Sequence, residues 1–280
     1  MAEVGLVRFA QVALDVAQAT VRRYRTVFSK HQFMQPQLLA ILCLMRYEDW
    51  TYRETKVRLA EHSELRCVLR LRSVPDYTTL YRFLRRLDEA AIAQALNEVV
   101  RRMVLPSPRR RVQVAVDATG LAQAARSTFF VRRLHPHTQN RCRGGMGLKW
   151  LTVVDLQRQL ILAQSARQAP WNDCANLPGW VAQAHAQTPI GCVWADAEFD
   201  SERHPTFIRQ PLRAVSIIPA KRGKKTWAIH GVRAPMRGRF PRKQYCRRAL
   251  IETVFSVAKR KLSSRAPGCC LLTQRRQALL

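Results

Sequence analysis

Val112-Gln-Val-Ala-Val-Asp117 is the stretch at which the chain changes from helices to strands. Its apolar residues alternate with a period of two, which predicts a buried strand with Asp117 at its carboxyl end. Just before it, Pro106-Ser-Pro-Arg-Arg-Arg111 breaks the helical pattern and predicts a linker. We therefore expect a helical N-terminal domain at 1–105, a linker at 106–111 and a second domain at 112–280.

Beyond residue 117 the sequence first predicts strands and then strands that alternate with helices. A hairpin is expected where two apolar runs, 149–154 and 160–163, flank Asp155-Leu-Gln-Arg158. Two further strands are predicted at 190–195 and 214–218. Helices are predicted to begin at Asn172-Asp173 and at Asp200-Ser-Glu202. This order indicates an α/β (α+β) domain, with a mixed sheet covered by helices. The stretch 219–243 is the most basic and loop-like part, and we interpret it as a basic insertion.

The first hundred residues predict helices. Thr51 and Glu54 have the spacing of a capping box, and Asp76 is the expected N-cap of a helix at 77–86. The inner stripe of this helix contains Leu80, Phe83, Leu84 and Leu87. Its outer face contains Thr78, Thr79 and three candidate DNA-binding residues, Arg82, Arg85 and Arg86. Two short helices of this kind resemble a helix-turn-helix reader of DNA, and a helical bundle with a solvated basic face fits the pattern equally well.

The charge of the chain predicts a polyanionic partner. Its formal net charge is +29 and its isoelectric point is about 11.2, so a compact monomer would repel itself. Nucleic acid is favoured over a membrane because the arginines are spread through helices and loops. The longest early apolar run, 38–45, is too short to cross a bilayer. The eight cysteines show no C-x-x-C pairing, which is typical of reduced thiols, so we expect a cytoplasmic protein.

Three acids from three separate elements are the candidate catalytic residues. Asp117 and Asp196 each end a predicted strand, and strand ends form the crevice where ligands bind in α/β sheets. Glu252 is the only carboxylate from Arg203 to the end of the chain. If its surroundings are helical, Glu252 shares one face with Arg248, Phe255 and Lys259.

These carboxylates would repel one another if they met in an apolar interior, and a pair of Mg²⁺ ions would remove that repulsion. Two such ions, roughly 3.5–4 Å apart, activate an oxygen nucleophile and stabilise the leaving oxygen in displacement at phosphorus. The alternative interpretation of each strand-terminal Asp is a turn or cap residue, and that of Glu252 is a surface Glu–Arg pair. We explain Asp155 by hairpin geometry, and Asp173 and Asp200 as helix caps.

The spacing Tyr245-x2-Arg248-x3-Glu252-x6-Lys259 is similar to the Tyr-Arg-Glu-Lys signature of DDE transposases from bacterial insertion sequences, specifically the fourth and fifth insertion-sequence families. The segments 115–120 and 194–202 resemble the first and second acidic motifs of these proteins. The segment 74–83 resembles a stretch that precedes their catalytic core. The resemblance therefore covers nearly the whole chain.

The resemblance implies an RNase H-like catalytic core in the 112–280 domain, which uses two Mg²⁺ ions (Mn²⁺ is expected to substitute) and binds terminal inverted repeats. It assigns Asp117, Asp196 and Glu252 as the catalytic and metal-binding triad. It assigns Tyr245, Arg248 and Lys259 to phosphates near the scissile bond. Water would first release a 3′-hydroxyl, which then attacks target DNA. The expected partners are double-stranded DNA and, in the synaptic complex, a second copy of the chain.

Two departures from the family pattern bear on activity. Glu198 and Phe199 stand where the second motif more often has Gly and Tyr. The segment 271–280 begins a helical pattern and ends on apolar residues where relatives usually continue, so we expect a shortened chain. Two alternatives follow: an inactive relative that binds the repeats as a repressor, and a nuclease that cuts branched DNA regardless of terminal sequence.

Overall fold

The structure, a computed structural model, describes residues 5–28, 30–104, 111–123, 147–168, 174–221 and 231–280. These residues form two compact units. The helical unit contains the described residues of Met1–Val99 and Ala258–Leu280, and the sheet unit contains those of Val100–Ala122 and Leu134–Val257. Residues 258–280 thus pack with the helical unit, although they were predicted to lie in the second domain. The functional division into a DNA-binding 1–105 and a catalytic 112–280 stays a prediction.

The described helices and strands follow one another in this order. The helices are α1 Leu6–Thr20, α2 Gln35–Tyr47, α3 Tyr52–Glu61, α4 Ser63–Val68, α5 Tyr77–Arg86, α6 Glu89–Met103, α7 Leu177–Gln187, α8 Arg203–Arg209, α9 Ala234–Gly238, α10 Arg242–Tyr245, α11 Leu250–Lys261 and α12 Leu271–Leu279. The strands are β1 Val112–Gln123, β2 Leu148–Asp155, β3 Leu160–Gln168, β4 Ile190–Ala195, β5 Val215–Ile217 and the two-residue β6 Arg265–Ala266.

Local capping fixes the starts of two helices in the helical unit, as the sequence predicts. The Thr51 hydroxyl accepts the Glu54 N–H at 3.2 Å, and the Glu54 carboxylate accepts the Thr51 N–H at 2.8 Å. Asp76 Oδ1 accepts the Thr78 N–H at 3.0 Å at the start of α5. The predicted inner stripe of α5 is buried, and its three arginines are exposed. A DNA-reading role for α5 stays a prediction.

The C-terminal helix α12 belongs to the core of the helical unit. Thr273, Gln274 and Gln277 are all buried. Arg275 forms an ion pair with Glu89 at 2.7 Å. The helical pattern predicted for 271–280 is confirmed. Arg275, Arg276 and Gln277 bind residues of α6, α5 and α3.

The sheet unit is built on a mixed sheet of order β3-β2-β1-β4-β5. Strands β1, β2 and β3 are antiparallel neighbours, whereas β4 runs parallel to β1 and β5 runs parallel to β4. Helix α7 leads from β3 to β4, and helix α8 connects the parallel strands β4 and β5. The mixed α/β class predicted from the sequence is confirmed.

The first strand is longer than predicted. Instead of ending at Asp117, β1 continues to Gln123, and Asp117 is paired with Thr152 of β2. The antiparallel partner causes the difference, because β2 pairs with β1 as far as Leu121 and so extends a stretch whose Ala-Thr-Gly sequence is typical of a turn. The interpretation of Asp117 as a strand-terminal residue is therefore wrong for the strand as a whole.

The structure describes two of the three acids that were interpreted as turn or cap residues, Asp155 and Asp200. Asp155 is fully buried at the β2–β3 hairpin, where it accepts the Gln157 N–H at 3.0 Å and binds Arg158 at 2.9 Å, so the hairpin interpretation is confirmed. Asp200 does not cap α8. It accepts the Lys221 N–H at 2.8 Å and forms an ion pair with Arg233. Asp173 lies outside the described residues, as does the predicted start of its helix.

Two further observations concern membrane-spanning helices and the cysteines. None of the helices in the described ranges has the length and apolar character needed to cross a bilayer. All the described cysteines are free thiols.

Candidate active site

The parallel pairing of β1 with β4 brings two of the predicted acids side by side. The last paired positions of the two strands are Val116 and Ala195. Asp117 and Asp196 are the residues that come directly after this pair in the chain, so both acids lie next to the last β1–β4 pair. The prediction that these acids mark neighbouring strand ends is therefore right for the parallel pair, even though β1 itself continues.

Asp117 is held by one backbone and one side-chain donor. Its Oδ1 accepts the Ala118 N–H at 2.8 Å, and its Oδ2 accepts Nη1 of Arg248 at 2.6 Å. Burial raises the pKa of Asp117, and the nearby charge of Asp196 raises it further, while Ala118 and Arg248 act in the opposite direction. The net direction is upward, so the ionised carboxylate is less stable here than in water.

Arg248 lies between two of the predicted metal ligands. Its second guanidinium nitrogen is 3.6 Å from Glu252 Oε1, one turn further along the chain. Burial alone would lower the pKa of Arg248, but Tyr245, Asp117 and Asp196 raise it above its usual value. The resemblance assigned Arg248 to DNA phosphate. The structure places it on Asp117, and its contact with phosphate stays a prediction.

Glu252 lies in the first turn of α11 and is 66% exposed. The helix is fixed by its other face, where Ile251, Val254 and Phe255 are buried and the Phe255 ring lies 5.7 Å from the Trp150 ring. Glu252 and Phe255 were expected to share one face of this helix. They differ in exposure, because Phe255 is buried in the core while Glu252 reaches solvent beside Arg248.

The three predicted ligands are not gathered as one carboxylate cluster. Within the described ranges, no group of three or more His, Cys, Asp or Glu side chains is arranged to hold a metal ion. Asp117 and Asp196 follow one rung of the sheet, and Glu252 approaches them through the guanidinium of Arg248. The structure therefore gives two adjacent acids, a third acid nearby and one cation between them.

The donor set nevertheless suits a hard divalent cation. Mg²⁺ prefers carboxylate oxygens and needs neither His nor Cys. Asp117 has a raised pKa partly because Asp196 is near, so a doubly charged cation would stabilise the ionised pair. Such a cation would compete with Arg248 for Asp117 Oδ2. The residues fit the ion on the condition that Arg248 releases this oxygen.

The remaining predicted DNA contacts are distributed over three elements. The Tyr245 ring packs against Phe240 at 5.0 Å and under Arg248 at 5.7 Å, and burial raises the pKa of Tyr245. Lys259 lies two turns after Glu252 on α11. Arg82, Arg85 and Arg86 are exposed on α5 of the helical unit.

The departures from the family motif leave the two aspartates untouched. Glu198 is 76% exposed, and its carboxylate is 3.9 Å from Lys149. Phe199 is buried, with 2% of its surface exposed. Neither residue enters the Asp117–Asp196 pair.

Sequence reasoning missed the ion pair between Arg248 and Asp117, which joins residues 131 positions apart. It also missed Phe240, which packs against Tyr245, and the bond from Arg247 to Gln113 Oε1 at 3.1 Å. No spacing rule links such distant positions. The basic segment 242–248 predicts anionic partners, but it does not say which residues they are.

The sheet unit has the features of the RNase H-like class of folds: this sheet order, two acids that follow the last β1–β4 rung, and an acid-bearing helix after β5. Residues 108–278 match a family model described as the transposase DDE domain. Because this match covers more than half of the chain, the protein belongs to that family. DDE transposases cleave and transfer DNA strands and generally use divalent metal ions. No curated protein matches the chain.

Proposed function

We propose that this chain is an insertion-sequence transposase that binds terminal inverted repeats and cuts and transfers DNA at Asp117, Asp196 and Glu252. The observation that carries the proposal is the pair of aspartates after the last β1–β4 rung, joined through Arg248 to an acid on α11. The narrower assignment to the fourth or fifth insertion-sequence family rests on the Tyr-Arg-Glu-Lys spacing alone.

Asp117, Asp196 and Glu252 would hold two Mg²⁺ ions, which when bound would activate the attacking oxygen and stabilise the leaving oxygen at phosphorus. The chain's own part in the reaction begins with Arg248. Arg248 binds Asp117 Oδ2 at 2.6 Å and would have to release this oxygen for a metal ion to be held there. Its guanidinium, whose five N–H groups match phosphate oxygens, would then be available to the DNA backbone next to the ligands.

Other cations position the DNA. Lys259 on α11 and the hydroxyl of Tyr245 would contact phosphates near the scissile bond, and Arg82, Arg85 and Arg86 would hold DNA on α5. Each neutralised phosphate releases counterions, so binding is expected to weaken steeply with salt. The net charge of +29 supports this assignment.

Cleavage of an end-labelled duplex that carries the element's own terminus tests the proposal. With Mg²⁺, the wild-type chain should nick the duplex at the terminus, and Asp117→Asn should bind the same duplex without nicking it. Persistent inertness of folded wild-type protein in both Mg²⁺ and Mn²⁺ would favour the repressor. Equal cutting of branched DNA with unrelated ends would favour the structure-selective nuclease.

Synapsis requires two DNA ends, so we propose a homodimer in the working complex, acting in the cytoplasm on nucleoid DNA. Light scattering of the chain with and without terminal duplex measures this directly. A complex of two chains and two duplexes is expected, and a complex of one chain per duplex at all ratios would contradict it.

A further inference from the structure

The described residues between α1 and α2, 21–28 and 30–34, present two apolar side chains to solvent. Phe28 is 94% exposed and Val27 is 83% exposed, which makes them the most exposed large apolar residues in the described ranges. Isolated exposed apolar residues are common on protein surfaces. Two adjacent ones at the tip of a loop with no acid and several cations are not explained by folding.

The two ends of this loop are joined by hydrogen bonds. Gln35 donates its backbone N–H to the Arg23 carbonyl at 2.9 Å and its side-chain amide to the Arg22 carbonyl at 3.0 Å. Above these bonds, the rings of Tyr24 and His31 stack at 4.3 Å with an interplanar angle of 10°. The stack joins residues on the two sides of Val27 and Phe28.

Beside the tip lies a cleft of about 600 Å³ between this loop and the outer face of α5. Four cations line it: Arg25, Lys30, Arg82 and Arg86. No acid is among its lining residues in the described part of the chain, and Tyr24 and Phe33 add aromatic surface. The lining residues Thr26 and Lys30 stand one residue before Val27 and two residues after Phe28, so the cleft begins next to the exposed pair in the chain.

The chemistry of this surface selects its occupant. Four cations without an acid require a polyanion, and a second copy of a chain with net charge +29 would be repelled. An anionic membrane would satisfy the charge, but two apolar side chains bury too little area for stable anchoring. Duplex DNA satisfies both features, because apolar wedges next to cations insert between base steps and kink the helix.

We propose that residues 21–28 and 30–34 and the outer face of α5 form a DNA-bending site, which rests on the proposed DNA-binding function. The cleft binds the backbone of one strand through Arg25, Lys30, Arg82 and Arg86. Phe28, with Val27 beside it, inserts into the adjacent base step and unstacks it. The helical unit would thereby distort DNA, whereas the proposed catalytic acids belong to the sheet unit.

The test separates the wedge from the cations. Fluorescence anisotropy measures affinity, and energy transfer between dyes at the two ends of a terminal duplex measures bending at saturation. Wild-type protein should bend the duplex by roughly 20–90°. Phe28→Ala should abolish most of the bend and weaken binding about tenfold with an unchanged salt slope, because it removes stacking and no charge. Arg82→Ala should lower the salt slope by about one and keep the bend at saturation.

Val57→Ala serves as the matched control, since Val57 is 53% exposed on α3 and lies outside the cleft. It should bend and bind DNA as wild type does. Thermal unfolding of Phe28→Ala should match wild type, because the side chain has almost no contacts to lose. Phe28→Leu, which keeps an apolar wedge, should restore part of the bend.

Several results would overturn the proposal. If Phe28→Ala bends DNA as wild type does, Phe28 is not inserted between bases. If Phe28 is needed for binding to anionic vesicles and has no effect on DNA, the loop tip binds membranes. Failure of the wild-type chain to bind any duplex would remove this site together with the proposed function. Wild-type protein that bends DNA through Phe28 but never cuts it would refute catalysis alone, whereas a cutting enzyme with an inert Phe28 would refute only the wedge.

Discussion

Asp117 on β1 and Asp155 on β2 both follow apolar runs on neighbouring antiparallel strands. The partners of Asp155 are close to it in sequence, whereas the ion-pair partner of Asp117 is far away. Asp155 is fully buried and is bound by Gln157 and Arg158, two and three residues away in its own turn. The side chain of Asp117 is 21% exposed and is bound by Arg248, which is 131 residues away.

The difference separates a carboxylate that builds a turn from a partly buried one that is held by an exchangeable cation. Asp155 cannot lose its partners without breaking the hairpin that contains them. Asp117 can exchange Arg248 for another cation, because its backbone bond to Ala118 and its place in the β1–β2 ladder remain. The partner's distance in sequence, together with exposure, distinguishes the two roles better than the shared Val-Asp pattern does.

The largest expected effect is on cleavage. Asp117→Asn should reduce metal-dependent nicking on the order of 10³-fold or more, because a ligand of a unit that acts together is lost. Asp155→Asn should leave the nicking rate per folded molecule unchanged. Initial rates on the terminal duplex, corrected for the folded fraction by circular dichroism, measure both. Comparable losses for the two variants would erase the distinction between these carboxylates.

The next effect concerns the competition for Asp117 Oδ2. Arg248→Met removes the guanidinium, so Mn²⁺ affinity without DNA should rise severalfold, while nicking should fall about 100-fold because a charged phosphate contact is lost. Titration calorimetry and nicking assays measure the two quantities. Arg247→Met is the control, since Arg247 binds the neutral Gln113 side chain. Unchanged or weaker Mn²⁺ binding in Arg248→Met would contradict competition at that oxygen.

Stability should respond in the opposite order. Asp155→Asn leaves Arg158 without its anionic partner and should lower the free energy of unfolding by about 2 kcal/mol, less than for a fully buried pair because Arg158 is 28% exposed. Asp117→Asn should not destabilise the fold. Burial raises the pKa of Asp117, so its ionisation costs stability as pH rises, and a neutral amide avoids that cost. Urea unfolding at pH 7 checks both; a larger loss for Asp117→Asn would reverse the assignment.

Features that depend on neighbours in sequence were predictable, and those that depend on distant partners were not. The Thr51 capping box, the Asp76 cap and the Asp155 hairpin each involve bonds within three residues. Asp200 was misread as a cap because Lys221 and Arg233, its actual partners, lie 21 and 33 positions away.

The candidate site shows the same limit. The apolar run before Asp196 correctly predicted β4, and the adjacency of Asp117 and Asp196 follows from a parallel register that only the folded sheet defines. The Arg248–Asp117 pair could not be predicted, because the pattern around Glu252 describes one helix and says nothing of which strand that helix covers.

The smallest expected effect tests the helix that carries Glu252. Lys259 is seven residues after Glu252 and so projects from nearly the same side of α11, whereas Lys261, nine residues after it, projects from the opposite side. Lys259→Ala should weaken binding of the terminal duplex about tenfold and lower the salt slope by about one, because one phosphate contact is lost. Lys261→Ala should have a smaller effect on both quantities, measured by anisotropy across a salt series. Equal losses would mean that α11 attracts DNA on all sides through its net charge. The position of Lys259 would then no longer indicate that DNA lies beside Glu252.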